Sequence, residues 1–508
     1  MTTQADIANR IPITAAMILA TLMNTIDSTI ANVALPHIQG SVSASQDQIT
    51  WVLTSYIIAT AIMTPLSGWL SQKIGRKRMF LMSIAGFTVA SVACGLSTSL
   101  AEIVIFRLLQ GVAGATMMPL SQTVMLDLFP PRQIPQVMAL WSSAIVLGPV
   151  IGPALGGWLT ENSSWRWVFF INVPLGALSF LGLFLLMSAD KGGRQRPFDF
   201  LGFGGIAMFI GGLQLMLDRG PSQDWFSSTE IWTETIVMMI GLWIFVVQTL
   251  TAAQPFFHRD LAKDRNFVGS SLFSFFVGAL LFAATALLPT LMQNLLGYSA
   301  LQAGYASMPR GIGSFMGFMM MPFLMRRVSA RLIVFTGVVI SLYAVWRMMH
   351  FDLSMTMTQI VVAGLIQGLG SGLLFAPMSV LAYVTLAPHH RPEGTTVSTM
   401  LRTLGSSVGI SLMQASLLRE GSSAHATLAG RIDPADPLFK ATLPAIMDPG
   451  TAVGLQALNS EITRQATMIA YDQVFSYMFL TTLLLFPLLL IIRPVRPSRG
   501  ITIEAAHE

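Results

Sequence analysis

The sequence predicts an all-α polytopic membrane protein of fourteen helices, and three observations carry that prediction. The 508 residues are 53% hydrophobic and only 10% charged, whereas soluble domains average about 25% charged. Apolar runs of about 20 residues, enough to cross a ~30 Å hydrocarbon core, recur along the whole chain. Segments spaced by roughly 253 to 258 residues resemble one another, which points to two related halves.

The apolar runs fall near 12–34, 49–71, 79–98, 101–124, 135–160, 167–188, 199–217, 231–251, 267–292, 301–325, 332–350, 357–386, 394–418 and 474–492. The first is of spanning length, and the VALPHIQG that follows is a poor cleavage site, so this span is expected to stay in the chain. Lys and Arg cluster at 73–78, 191–196, 259–265, 326–331 and 493–499, which all lie on one side if the N-terminus is inside. That bias predicts a multi-pass membrane protein with both termini in the cytoplasm. The net charge of +5 and pI near 9.5 therefore read as topology signals, not as a nucleic-acid surface. Cys94, the single cysteine, excludes an internal disulfide and makes a metal cluster unexpected.

The repeat consists of three matches. LPHIQ (35–39) resembles LPTLMQ (288–293), LSQKIGRK (70–77) resembles LMRRVSAR (324–331), and QGVAGATMMP (110–119) resembles QGLGSGLLFAP (367–377). Two six-helix halves related by an axis along the membrane normal are a transporter architecture. The expected organisation is a first bundle over 1–190, an inserted helix pair over 191–262, and a second bundle over 263–508 that includes a long outer loop at 419–472. That loop carries DPADP, MDPG and then a helix-like LQALNSEITRQATMIAYDQ, and reads as a tether or a docking surface for an accessory protein.

Four ionisable residues fall well inside predicted spans: Asp27, Arg107, Arg310 and Arg402. A charge at mid-membrane costs roughly 2.5–3.5 kcal/mol on insertion scales, so each needs a partner, water or a function. Asp27 and Arg107 lie at matching depth, roughly 10 Å below the outer surface at ~1.5 Å per residue, and should pair. The repeat places Leu280 and Gly364 at the corresponding positions, so chemistry is expected in the first half. On a helical wheel Ala20, Thr21, Asn24, Thr25, Asp27, Ser28, Ala31 and Asn32 share an arc of about 160°, a polar half-face expected to line water or a cavity. With Gln110, Met117, Met118 and Arg310, the residues Asn24, Ser28 and Ala31 form the expected substrate cavity. Arg310 and Arg402 each lack an obvious carboxylate in their half, and could instead bond backbone carbonyls and stiffen their helices, or meet an anionic substrate.

Motifs sharpen the expectation. GPVIGPALGGWL (148–159) supplies Gly148, Gly152, Pro153, Gly156 and Gly157, small residues for close helix approach and a proline for a bend. It fits the G-x-x-x-G-P-x-x-G-G pattern of drug antiporters in the major facilitator superfamily. GWLSQKIGRKRMF (68–80), with Gly68, Gly75 and Arg76, resembles the superfamily's cytoplasmic signature G-x-L-a-D-r-x-G-r-k, except that Gln72 stands where the Asp is usual. IVIFRLLQGVAGA (103–115) resembles the motif whose Arg, here Arg107, is tied to proton transfer. IDSTIANVALP (26–36), WRWVFFINVP (165–174) and LDRGPSQDWFSS (217–228) resemble the fourteen-helix drug:proton antiporter branch.

The resemblance implies proton-driven efflux of hydrophobic and amphipathic toxic compounds: drugs, uncouplers, fatty acids or bile salts. Asp27 and Arg107 would couple protons, which are the only coupling ion, with no cofactor or metal. It also implies a periplasmic membrane-fusion protein of EmrA type and an outer-membrane channel of TolC type as partners, beside membrane lipid. A proton symporter taking up a metabolite is the alternative on the same fold. An enzyme is disfavoured, since no HExxH, GxSxG or phosphate-binding loop is present.

Overall fold

The computed structural model describes residues 6, 9–130, 132–189, 197–432, 444, 447–448 and 450–492. Among them there is no strand, and fourteen long helical segments follow one another. The first six are α1 (Arg10–Val42), α2 (Trp51–Ile74), α3 (Arg76–Leu96), α4 (Leu100–Leu128), α5 (Ile134–Asn162) and α6 (Trp167–Leu186). Next come α7 (Phe200–Arg219) and α8 (Thr229–Thr251), then α9 (Arg265–Asn294), α10 (Ala300–Arg327), α11 (Ala330–Met348), α12 (Met357–Val384) and α13 (Arg391–Ala429). The last is α14 (Ala452–Ile491).

Twelve of these are long and apolar enough to cross a membrane, which makes this a multi-pass membrane protein. The two that fall short, α10 and α13, are long enough but carry Arg310 and Arg402 with many Gly and Ser residues. Both pack mainly against other helices, α10 on α12 and α5, and α13 on α9 and α14.

Side-chain caps set several starts. Ser99 accepts from Glu102 at the head of α4, Asp264 from Asn266 and Phe267 ahead of α9, and Ser299 forms a capping box before α10. Between α2 and α3 the chain turns at Gly75, whose φ of 95° suits glycine.

The outer stretch at 419–472 differs from expectation. Helix α13 continues to Ala429 and α14 begins at Ala452, with Thr451 capping Gly454. Glu420 accepts from Tyr477 at 2.9 Å, and His425 meets Asn459 at 3.1 Å, so the two helices stay paired beyond their apolar parts. Hydropathy marks where lipid would end, whereas Ala- and Leu-rich sequence goes on supporting helix. The DPADP segment, residues 190–196 and residues 493–508 lie outside the described residues.

Helices α1, α3, α4, α5 and α6 surround a core that includes Met17, Phe80, Phe87 and Trp141. Helices α9, α11 and α12 pack another around Phe273, Val334 and Leu374. Where α5 meets α10, Gly304 and Gly311 approach Ala154 and Val150. Helices α7 and α8 cross closely at Gly205, Gly212 and Gly241. Helix α7 also touches α2 and α13, with Ser411 donating to the Leu217 carbonyl at 2.6 Å. Helix α8 leaves Trp232, Met239, Trp243 and Leu250 exposed, as suits a helix at the lipid boundary.

The glycine motif of α5 is explained by α1. A Cβ on Gly156 would stand 2.8 Å from Ile30 Cγ1, and one on Gly148 or Gly152 would run into Thr25 or Thr29. Gly157 faces away, with Val33 Cγ1 at 3.8 Å its one near atom. Pro149 and Pro153 are accommodated inside the helix. Gly156→Val should therefore cost about 1–3 kcal/mol through overpacking, while Gly157→Val is tolerated. Thermal unfolding of the two variants in detergent checks this, and equal losses would refute the packing of α1 on this stripe.

Candidate functional site

Asp27 on α1 and Arg107 on α4 are both fully buried, and Arg107 Nη1 donates to Asp27 Oδ2 at 2.7 Å. The other carboxylate oxygen, Oδ1, accepts from Gln110 Nε2 at 2.9 Å and from Asn172 Nδ2 at 2.7 Å. Gln110 lies one helical turn after Arg107 and returns its own Oε1 to Arg107 Nη1 at 2.8 Å. Arg107 Nε donates to the Val52 carbonyl of α2 at 3.1 Å, and its guanidinium carbon sits 4.1 Å over the Tyr56 ring. Asn172 on α6 also reaches Ser91 of α3 at 2.8 Å. The charge pair thus ties together α1, α2, α3, α4 and α6. Two polar atoms within it, Arg107 Nη2 and Asn172 Oδ1, have no hydrogen-bond partner.

The polar half-face of α1 does not line a cavity in this conformation. Thr21 meets Ser121 Oγ at 3.1 Å, Asn24 donates to the Tyr56 hydroxyl and the Gly114 carbonyl at 3.3 Å each, and Thr25 donates to the Ala144 carbonyl at 3.2 Å. The reason is that α4 and α5 approach α1 closely through glycines, leaving their carbonyls to be satisfied by these short polar side chains. Of the expected cavity residues, Asn24, Ala31, Gln110 and Met117 lie in the packed interior, whereas Ser28 and Met118 are half-buried. Asn32 is exposed.

At the end of the bundle that the basic clusters mark as cytoplasmic, the two halves are latched. Asp127, at the end of α4, binds Arg76 at 2.9 Å and Arg391 of α13 at 3.0 Å. Gln72, which occupies the signature's usual acidic position, leaves the carboxylate of this latch to Asp127. Nearby, Ser67 meets Thr396 at 3.0 Å and Thr123 meets Thr395 at 2.7 Å. A Cβ on Gly68 would lie 3.3 Å from Thr396 Oγ1, so glycine there lets α2 and α13 close.

The second half holds its cations differently. Arg310 donates through Nη2 to the Leu281 carbonyl at 2.6 Å. Among the described residues, the one hydrogen-bond partner of the Arg402 side chain is Met118 Sδ, at 3.7 Å, and the guanidinium stands over the rings of Trp141 and Phe375. Arg402 also borders a cavity between α4, α9, α12 and α13 that Gln122, Phe375 and Tyr383 help to line.

The family model described as Major Facilitator Superfamily matches residues 17–410. The chain belongs to that superfamily, and is therefore a membrane transporter. It is 35% identical to the Multidrug export protein EmrB of Escherichia coli (strain K12) over 475 residues, 92% of each chain. It is 32% identical to the Fatty acid resistance protein FarB of Neisseria gonorrhoeae over 496 residues, 96% of this chain and 97% of that one. Among solved structures, the proton:xylose symporter XylE shares the fold with a TM-score of 0.59 at 13% identity, covering 92% of this chain and 94% of that one.

Sequence reasoning paired Asp27 with Arg107 but missed Asn172, Ser91, Tyr56 and Asp127. Asn172 was findable as the polar residue within WRWVFFINVP, while Asp127 looks in sequence like any charge at a helix end. The side chains of these ion pairs are half-buried, and one carboxylate serves both arginines, so its loss should loosen the latch. Asp127→Asn should speed labelling of a cysteine placed at Thr396 by an impermeant maleimide from the cytoplasmic side, several-fold over the Asp127 parent. Native Cys94 is fully buried and gives little background. Equal labelling rates would show that these ion pairs do not hold the end shut.

Proposed function

We propose that this transporter exports hydrophobic and amphipathic toxic compounds across a bacterial inner membrane by proton-driven alternating access. The observation that carries this reading is a carboxylate, Asp27, buried within a membrane-spanning bundle and held by Arg107, Gln110 and Asn172. Intramembrane acids of this kind serve as proton relays and ion paths. The name Multidrug export protein EmrB supports export, and with the Fatty acid resistance protein FarB it supports a reading in which drugs and fatty acids are candidate cargoes.

In the conformation described, the pair is closed and dry, and the latch at Asp127 seals the cytoplasmic end. Exchange of a proton at Asp27 then belongs to another state, in which the halves have rocked and Arg107 has drawn away. In our reading α10 and α13 also span, giving fourteen helices, and the bundles 1–190 and 263–508 move about the inserted pair at 191–262. A membrane-fusion protein of EmrA type and a channel of TolC type would carry the cargo onward from the periplasmic side. Metabolite symport uses the same fold, but the G-x-x-x-G-P-x-x-G-G motif of α5 and the exporter relatives favour efflux.

The test must separate coupling from structural support. Asp27→Asn and Arg107→Gln each leave one buried partner without its counterpart, and each should cost about 3–5 kcal/mol of stability. The double variant removes both charges and should recover much of that loss. Measured in proteoliposomes with an imposed pH gradient and a fluorescent hydrophobic substrate, the double variant should fold yet show no proton-driven export. Export at the parental rate by the double variant would remove Asp27 from the mechanism.

A further inference from the structure

Three guanidiniums are at least nine-tenths buried among the described residues: Arg107, Arg310 and Arg402. Their surroundings are unequal. Arg107 has a carboxylate at 2.7 Å, and Arg310 has a backbone carbonyl at 2.6 Å. Arg402 has a thioether at 3.7 Å, among the weakest acceptors a protein offers. A cation taken from water and given so poor a partner is costly to keep there unless something else meets it.

The position of Arg402 says what that could be. It borders a cavity into which α4 of the first half contributes Gln122 and the second half contributes Phe375 and Tyr383. Trp141 and Phe375 rings lie 5.8 and 5.9 Å from its guanidinium carbon. One end of this space therefore presents a fork of N–H donors, and its walls mix Ser274, Ser379 and Thr399 with an apolar side formed by Phe273, Leu374 and Phe375. The planar fork matches a carboxylate, which it can grip with two parallel hydrogen bonds, and the apolar side suits the start of a hydrocarbon tail.

We infer that Arg402 anchors the head group of an amphipathic carboxylate whose apolar tail lies along Phe375 and the neighbouring wall, so that the transporter prefers anionic over neutral cargo. This rests on the export reading and names a substrate class for the cavity between the halves. Met118 then acts as a placeholder, a flexible acceptor that the incoming carboxylate displaces.

Full-length protein in nanodiscs of phosphatidylcholine, free of anionic phospholipid, is titrated with dansylated undecanoate, and dodecanoate is compared with dodecanamide as competitor. The parent should bind dodecanoate at least about tenfold more tightly than the amide, since a hydrogen bond to a charged group is worth ≈ 1.5–3 kcal/mol and 1.4 kcal/mol is tenfold. Arg402→Gln should lose that discrimination by weakening the acid and not the amide, and Arg402→Lys should keep part of it. Adding phosphatidylglycerol should leave the competition unchanged. Competition by that lipid as strong as by dodecanoate would assign Arg402 to a phospholipid head group and overturn the inference. So would equal affinity of the parent for acid and amide, or a preference for the acid that survives Arg402→Gln. Failure of the parent to bind either competitor or to export any hydrophobic probe would instead bring down the export reading itself.

Discussion

A carboxylate and a guanidinium that share no contact with water hold the first half of this molecule together. Asp27 uses both oxygens, and the donors come from α4 and α6, while Arg107 reaches back to a carbonyl of α2. In a low-dielectric interior such a pair is weak evidence of stability by itself, because desolvation offsets most of the attraction. What it does is make five helices mutually dependent. None can shift far without exposing one charge to the absence of the other. A structure that needed only rigidity could have used packed hydrocarbon in the same place.

The two halves thus share a fold and differ in electrostatics. The first half neutralises its buried cation internally. The second half carries Arg310 and Arg402 with no carboxylate partner among the described residues. Its interior is therefore electropositive where it faces the first half. On the proposed reading, that asymmetry would put proton chemistry and cargo contact on different helices, a separation that a symmetric duplication alone would not produce.

Much of this was legible in the sequence because membranes constrain it strongly. Apolar length gave the positions of the helices. The pairing of Asp27 with Arg107 followed from equal depth. What sequence could not supply was who satisfies whom across helices. Thr25 on the wheel looks like a lining residue, yet it bonds a carbonyl of α5, since Gly148 brings that backbone within reach. Asn172 contributes to the charge network from more than a hundred positions away, and its one signal is that it is an amide in the apolar stretch VFFINVP. The helical extension to Ala429 was hidden for another reason: hydropathy reports the solvent around a helix, not the helix.

One element links the two ends of the molecule. Helix α4 carries Arg107 on its Leu100–Gly114 segment and Asp127 at the end of its Met117–Leu128 segment. Those residues are about 30 Å apart at ~1.5 Å per residue. Between them Ala115 and Thr116 interrupt the regular helix. Coupling between distant sites requires a shared element with two arrangements that both sites bias. Helix α4 meets the first part of that requirement, since the carboxylate that holds Arg107 and the arginines that hold Asp127 pull on the same rod. The break at its middle decides how far one end can tilt without moving the other. If the segments move as one, releasing Arg107 loosens the cytoplasmic latch directly. If they bend at Ala115, the two locks act independently and proton exchange need not accompany opening.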